Sequence, residues 1–183
     1  THSLRRFTSV VPDLLSNEGT FAPGSAFAGE TVTVGWRERC FFTTATAHTS
    51  SVYLSTDTLI NSHDALLISA RAVPALGADR FTTLSASGTV PAYLRSGQYY
   101  VGVVVDVGSN VDELDESNNT FVLPGQLAVT ARPDMKVTAF SFSSGPASPG
   151  DALTAHATVS NVGGAASPIT WARVYLSTDS VIN

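Results

Sequence analysis

Gln98 to Asp106 reads QYYVGVVVD, and its alternation decides the fold class. In an extended chain Tyr99, Val101, Val103 and Val105 fall on one face, with Tyr100, Gly102, Val104 and Asp106 on the other. Thr31 to Trp36 repeats the pattern with Val32, Val34 and Trp36. Val52-Tyr53-Leu54 is a short strand that stops at the turn formers Ser55-Thr56-Asp57. Ala65 to Ala70 and Phe81 to Val90 add two more, and Thr120 to Leu123 with Leu127 to Val129 form an extended pair broken at Pro124-Gly125. Turn signals at Pro23-Gly24, Gly77, Gly88, Pro91, Gly97 and Ser109-Asn110 recur at the spacing of a sandwich. Helical periodicity is weak throughout; its nearest approach, Ala70 to Ala78, is interrupted by Pro74. The expectation is an all-β, immunoglobulin-like antiparallel β-sandwich of about seven strands. Its core should contain Tyr99, Val101, Val103, Val105, Val32, Val34, Trp36, Tyr53 and Leu54.

The hexapeptide VYLSTD occurs at Val52 to Asp57 and again at Val174 to Asp179. Around it Pro12-Asp13 matches Pro133-Asp134, Gly29-Glu30 matches Gly150-Asp151, and Leu59-Ile60-Asn61 falls on Val181-Ile182-Asn183. A repeat of this length is the size of a small domain, far longer than a solenoid unit. Residues 12–132 therefore read as one complete module and 133–183 as the first part of a second, a tandem repeat. Residues 1–11 align with the linker ahead of the second copy and read as linker or as the end of a preceding module. In the second copy Met135 to Phe142, Ala152 to Ser160 and Thr170 to Ser177 are expected as strands, with Trp171 on a strand and in a core. Three strands would leave sheet edges and an apolar face open. The missing strands are expected from a continuation of the natural chain past Asn183, or from a neighbouring molecule by strand addition.

Composition sets limits on function. Hydrophobic residues are 43% of the chain and charged residues only 14%, with a net charge of −5. The densest basic stretches, Arg5-Arg6 and Arg37 with Arg39, are too sparse to follow a phosphate backbone, so nucleic acid is excluded as a partner. No apolar run in this segment approaches the roughly 18 residues of a membrane span, and Thr1 to Val11 lacks the apolar region of a signal peptide. Cys40 is the single cysteine and reads as a half-buried structural thiol.

A module that opens with Pro-Asp and an apolar strand, then carries VYLSTDxxIN with Asp64 downstream, resembles the CARDB domain, a cell-adhesion-related domain of bacteria. Val90-Pro91 before Leu94 and Gly97, YYVGVVVD, and the series Val111, Glu113, Asp115-Glu116 and Asn118-Asn119 fit the same pattern. In the second copy Ser160 to Ala165, SNVGGA, looks like the family's Asn-x-Gly turn; the first copy departs there with RERCFFTT. The resemblance implies an extracellular, tandemly repeated sandwich of secreted or cell-surface bacterial proteins.

Asp106, Asp112, Glu113, Asp115 and Glu116 crowd one loop, with Asn110, Asn118 and Asn119 adding amide oxygens. Two readings stand. Calcium takes six to eight oxygen ligands from flexible loops, and Asp57, Asp64, Asp106, Glu113, Asp115 and Glu116 would supply them if both loops lay at one end of the sandwich. Alternatively the loop is a solvated hairpin whose Asp and Asn side chains bond their own backbone. No cofactor is required, and Ca2+ is the one ion the first reading would add. Catalysis finds no pattern: Ser62-His63-Asp64 are consecutive and cannot form a relay, and neither G-x-S-x-G nor H-E-x-x-H occurs. His2, His48, His63 and His156 do not recur between the copies, and Asn118-Asn119-Thr120 is a bare glycosylation sequon. Tyr99 is placed to form a tyrosine corner.

Three functions compete. The first is a non-catalytic structural or adhesive repeat module of a long extracellular or cell-surface bacterial protein, building a fibre or stalk. Its partners would be like modules of the same or a neighbouring chain, with host-surface or matrix protein or glycan as the adhesion target. The second is an accessory glycan- or protein-binding module of a secreted enzyme. The third places an enzyme domain outside this segment.

Overall fold

The structure, a computed structural model, describes residues 10–143 and 145–179; the expected linker at 1–11 lies largely outside them. In chain order the strands are β1 (Asp13–Ala22), β2 (Ser25–Phe27), β3 (Thr31–Phe41), β4 (His48–Ser55), β5 (Ala65–Val73), β6 (Phe81–Thr89), β7 (Gly97–Val104), β8 (Thr120–Val122), β9 (Leu127–Thr130), β10 (Met135–Phe142) and β11 (Ala155–Asn161). No helix occurs among the described residues. One sheet has the order β1-β3-β6; the other runs β2-β9-β7-β4-β5, with β8 also on β7. Ladders are antiparallel except β2 with β9.

The nine strands β1–β9 reduce to the seven expected of residues 12–132. β1 and β2 are one edge strand that changes sheets at the cis Ala22–Pro23 peptide. β8 and β9 are the last strand, interrupted where Gly125 takes a left-handed φ of 87°. All nine residues expected in the core are buried. β4 is buried on both faces because the loop after it folds back. Tyr53 pairs with Gly102, and Ile60 lies so close over Gly102 that a Cβ there would sit 2.3 Å from Ile60 Cγ1. The VYLSTDxxIN motif is thus a strand, a turn and the isoleucine that covers the strand's outer face. Tyr99 donates its hydroxyl to the Arg95 carbonyl at 3.0 Å, the bond of a tyrosine corner.

Strand β3 runs further than Thr31 to Trp36. Its inward face continues through Glu38 and Cys40, both fully buried, so Cys40 is enclosed rather than half exposed. Burial holds the thiol pKa above its ordinary value, an unreactive state.

β10 and β11 form a separate ladder. Its pair Met135–Asn161 corresponds to Leu14–Cys40 of the β1–β3 ladder, each residue 121 positions later. The register slips between Val137 and Ala139 as it does between Ser16 and Glu18, at the same offset. Two expectations fail in this region. Thr170 to Ser177 forms no strand, and Trp171 is 91% exposed. In the first module VYLSTD pairs with β5 and β7, and no described residue fills those places beside the second copy. The turn chemistry survives without the ladder: the Asp179 amide donates to Ser177 Oγ, as Asp57 does to Ser55 Oγ.

Leu127, fully buried, and Leu59, 75% exposed, give a direct check on this core. Leu127→Ala should lose about 2–5 kcal/mol in denaturant unfolding and Leu59→Ala less than about 0.5 kcal/mol. Equal losses would contradict the core assignment.

Candidate functional site

Two polar constructions stand out in an otherwise apolar sandwich. The first is between the sheets. Glu38 on β3 points inward, where strand alternation would place an apolar residue, and is 0% exposed. Trp36 Nε1 donates to its Oε1 at 2.7 Å, and His48 Nε2, from β4 in the opposite sheet, lies 2.9 Å from its Oε2. The other ring nitrogen of His48 faces the Thr46 carbonyl at 3.1 Å. Both nitrogens therefore meet acceptors, and only the doubly protonated ring satisfies both. Burial works against that charge, but the Glu38 carboxylate outweighs it and holds the His48 pKa above its ordinary value. At 3% exposure the ring cannot serve chemistry in solution.

The second construction is the loop between β7 and β8. Asp106, buried, accepts the amides of Asn110 at 3.1 Å and Val111 at 2.8 Å. Glu113 accepts the Leu14 amide of β1 and the Asn119 side chain, while the Leu114 amide donates to Pro12 O and Asn118 to Asp13. Glu116 accepts the Glu113 amide, and Asp115 accepts both the amide and the hydroxyl of Ser117. The loop is a strap tied across the start of β1. Burial pushes the Glu113 pKa up to about 7, against its hydrogen bonds from Leu14 and Asn119. The Ser117 hydroxyl and amide hold Asp115 below the usual carboxylate range.

The six carboxylates expected around calcium do not converge. Antiparallel pairing sets Ser55 opposite Tyr100 and Ser51 opposite Val104. The β4–β5 loop with Asp57 and Asp64 therefore leaves one end of β4, and the loop with Asp106, Glu113, Asp115 and Glu116 sits at the other. Asp57 and Asp64 accept the amides of Leu59 and Asn61 in their own turn. Among the described residues no group of three or more His, Cys, Asp or Glu side chains is arranged to hold a metal ion. Carried two positions past Trp36, period-two spacing puts Glu38 on the inward face of β3, but nothing in that spacing marks His48 as its partner.

Fold and site define a class: an immunoglobulin-like sandwich whose buried Glu38, His48 and Asp106 and half-buried Glu113 hold its own loops and sheets. The CARDB family model matches residues 11–123, and the chain belongs to the CARDB family. No match was found among curated proteins. Among solved structures, the chain is similar to the CARDB domain of the Pyrococcus furiosus PF1109 protein, crystallised in complex with di-metal ions. The identity is 20% and the TM-score 0.47, covering 66% of this chain and 90% of that one. A 272–376 domain from Methanosarcina acetivorans, whose name places it provisionally at the cell surface, is 18% identical with a TM-score of 0.47, covering 66% and 93%. A Listeria innocua β-glucosidase in complex with gluconolactone is 18% identical with a TM-score of 0.39, covering 65% of this chain and 16% of that one.

The raised Glu113 pKa predicts a pH dependence of defined sign. Between pH 4.5 and about 7 the unfolded chain loses this proton while the native state keeps it, so its contribution to stability falls as pH rises. Glu113→Gln should remove that fall, and denaturant unfolding of the two proteins across the window should diverge; parallel curves would contradict the assignment. The same unfolding series run with calcium and with a chelator tests the cation reading of the loop: a calcium-dependent rise in stability supports it, and superposed curves remove it.

Proposed function

We propose that this chain is a non-catalytic structural and adhesive segment of a bacterial cell-surface protein, built from like sandwich modules in series as a stalk. The observation that carries the reading is the β10–β11 ladder, which repeats the register and the bulge of β1–β3 at an offset of 121 residues. With the repeated VYLSTD and its Ser–Asp turn, this supports residues 133–183 as the opening of a second module. CARDB membership and the absence of a nucleic-acid-binding charge pattern point the same way.

The partner in this reading is a like module's strands, from the same or a neighbouring chain. The second unit exposes Phe140, Phe142, Val174, Tyr175 and Leu176 around a cavity of about 600 Å³, the kind of apolar face that a second sheet covers in the first module. Buried His48 and the carboxylates held by backbone amides favour a scaffold over an enzyme. Antibody raised against residues 12–132 should label intact, unpermeabilised cells of the source organism. Labelling that appears only after permeabilisation would overturn the reading.

A further inference from the structure

The linker between the two units is tied down on both sides. The Ala28 amide donates to Thr130 O at 2.9 Å, and the Ala131 amide to Ser96 Oγ at 2.9 Å. The Arg132 guanidinium lies 3.2 Å from Glu30 Oε1 and stacks 3.8 Å from the centroid of the Phe27 ring. One residue later the second unit takes over. The Asp134 amide donates to Asn161 Oδ1 at 3.1 Å, and the Val162 amide to Asp134 O at 2.8 Å. Only Pro133 lies between the two sets of bonds, and its ring fixes φ.

The turn at Asn161 to Ala165 then reaches back to the first module. The Gly164 amide donates to Ala92 O, in the loop between β6 and β7, at 3.1 Å. A Cβ on Gly164 would lie 1.9 Å from the Leu94 carbonyl oxygen, and one on Gly163 would lie 2.3 Å from that of Arg132. Both neighbours are backbone, which cannot swing aside as a side chain would. Asn161 holds the turn in shape, accepting the Gly163 amide at 3.0 Å and donating to Ala165 O at 2.7 Å. The first copy has Cys40, Phe42 and Thr43 where the second has Asn161, Gly163 and Gly164, so it presents no such turn.

We propose that Asn161–Gly164 and the loop at Pro91–Leu94 form an inter-module joint, in which the glycine turn of the following module docks on the preceding one and fixes their relative orientation. The proposal rests on reading residues 133–183 as a following module. It makes the Asn-x-Gly-Gly turn a docking element, and the surface around Ala92 and Leu94 the seat for it. Modules lacking the glycines, like the first copy, would join what precedes them differently.

Amide hydrogen exchange on the unaltered chain tests the joint. The Gly164 amide should exchange at least about tenfold more slowly than its unfolded-chain rate, because it is bonded to Ala92 O. Protected β10–β11 amides beside an unprotected Gly164 would overturn the joint and leave the second module standing; loss of protection in both would overturn both. Spin labels at Asp112→Cys and Lys136→Cys, with buried Cys40 left unlabelled, should give one narrow distance distribution. Gly164→Val should broaden or shift it, while Gly24→Ala, where no atom lies within 4 Å, should not. An unchanged distribution in Gly164→Val would overturn the joint.

Discussion

The carboxylate of Glu38 is the constraint around which the first module is organised. A fully buried charge is tolerated only where its partners are complete, and here they come from both sheets: the Trp36 indole beside it and the His48 ring opposite. Hydrophobic faces alone would let the sheets slide or repack with little preference. The polar contact allows one alignment, because a shift of either strand would leave an unpaired charge in an apolar interior. That alignment in turn brings Asp106, just beyond β7, close enough for its charge to join Glu38 in raising the His48 pKa against the effect of burial.

The pair belongs to this module and not to the repeat. Val159 stands where Glu38 does when the two ladders are superposed by their shared offset. The second copy keeps the strand register, the bulge and the Ser–Asp turn but carries an apolar residue at this inward position. It also has the glycine turn that the first copy lacks. The β1–β3 and β10–β11 ladders therefore share a register and a bulge and differ at the inward position of Glu38 and at the glycine turn, where the proposed joint lies.

Much of this was legible in the sequence, and the limits have physical causes. Alternation in QYYVGVVVD marked β7 and its inward face, because Val101 and Val103 are buried in the same core cluster as Val32, Val34 and Trp36. Alternation also truncated β3 at Trp36, since an inward glutamate is indistinguishable from an outward one until its partner is known. The acidic loop looked like a cation site because composition records oxygens and not what they accept. Folded, those oxygens take backbone amides, and the β4–β7 register sends the other candidate loop to the far end. Trp171 looked like core because it falls within an expected strand, yet a strand face is buried only if a second sheet covers it.

In the proposed stalk, a module that keeps one internal alignment would pass orientation from one unit to the next. The double-mutant cycle between Glu38 and His48 tests this account most directly. His48→Val, which leaves the Glu38 carboxylate buried with Trp36 alone, should lose about 3–5 kcal/mol of unfolding free energy, and Glu38→Val, which leaves a buried imidazole and indole without their acceptor, about 1–3 kcal/mol. The double variant should lose less than the sum by about 1–3 kcal/mol, because no orphaned charge remains. Strictly additive losses would contradict the claim that the pair ties the two sheets together.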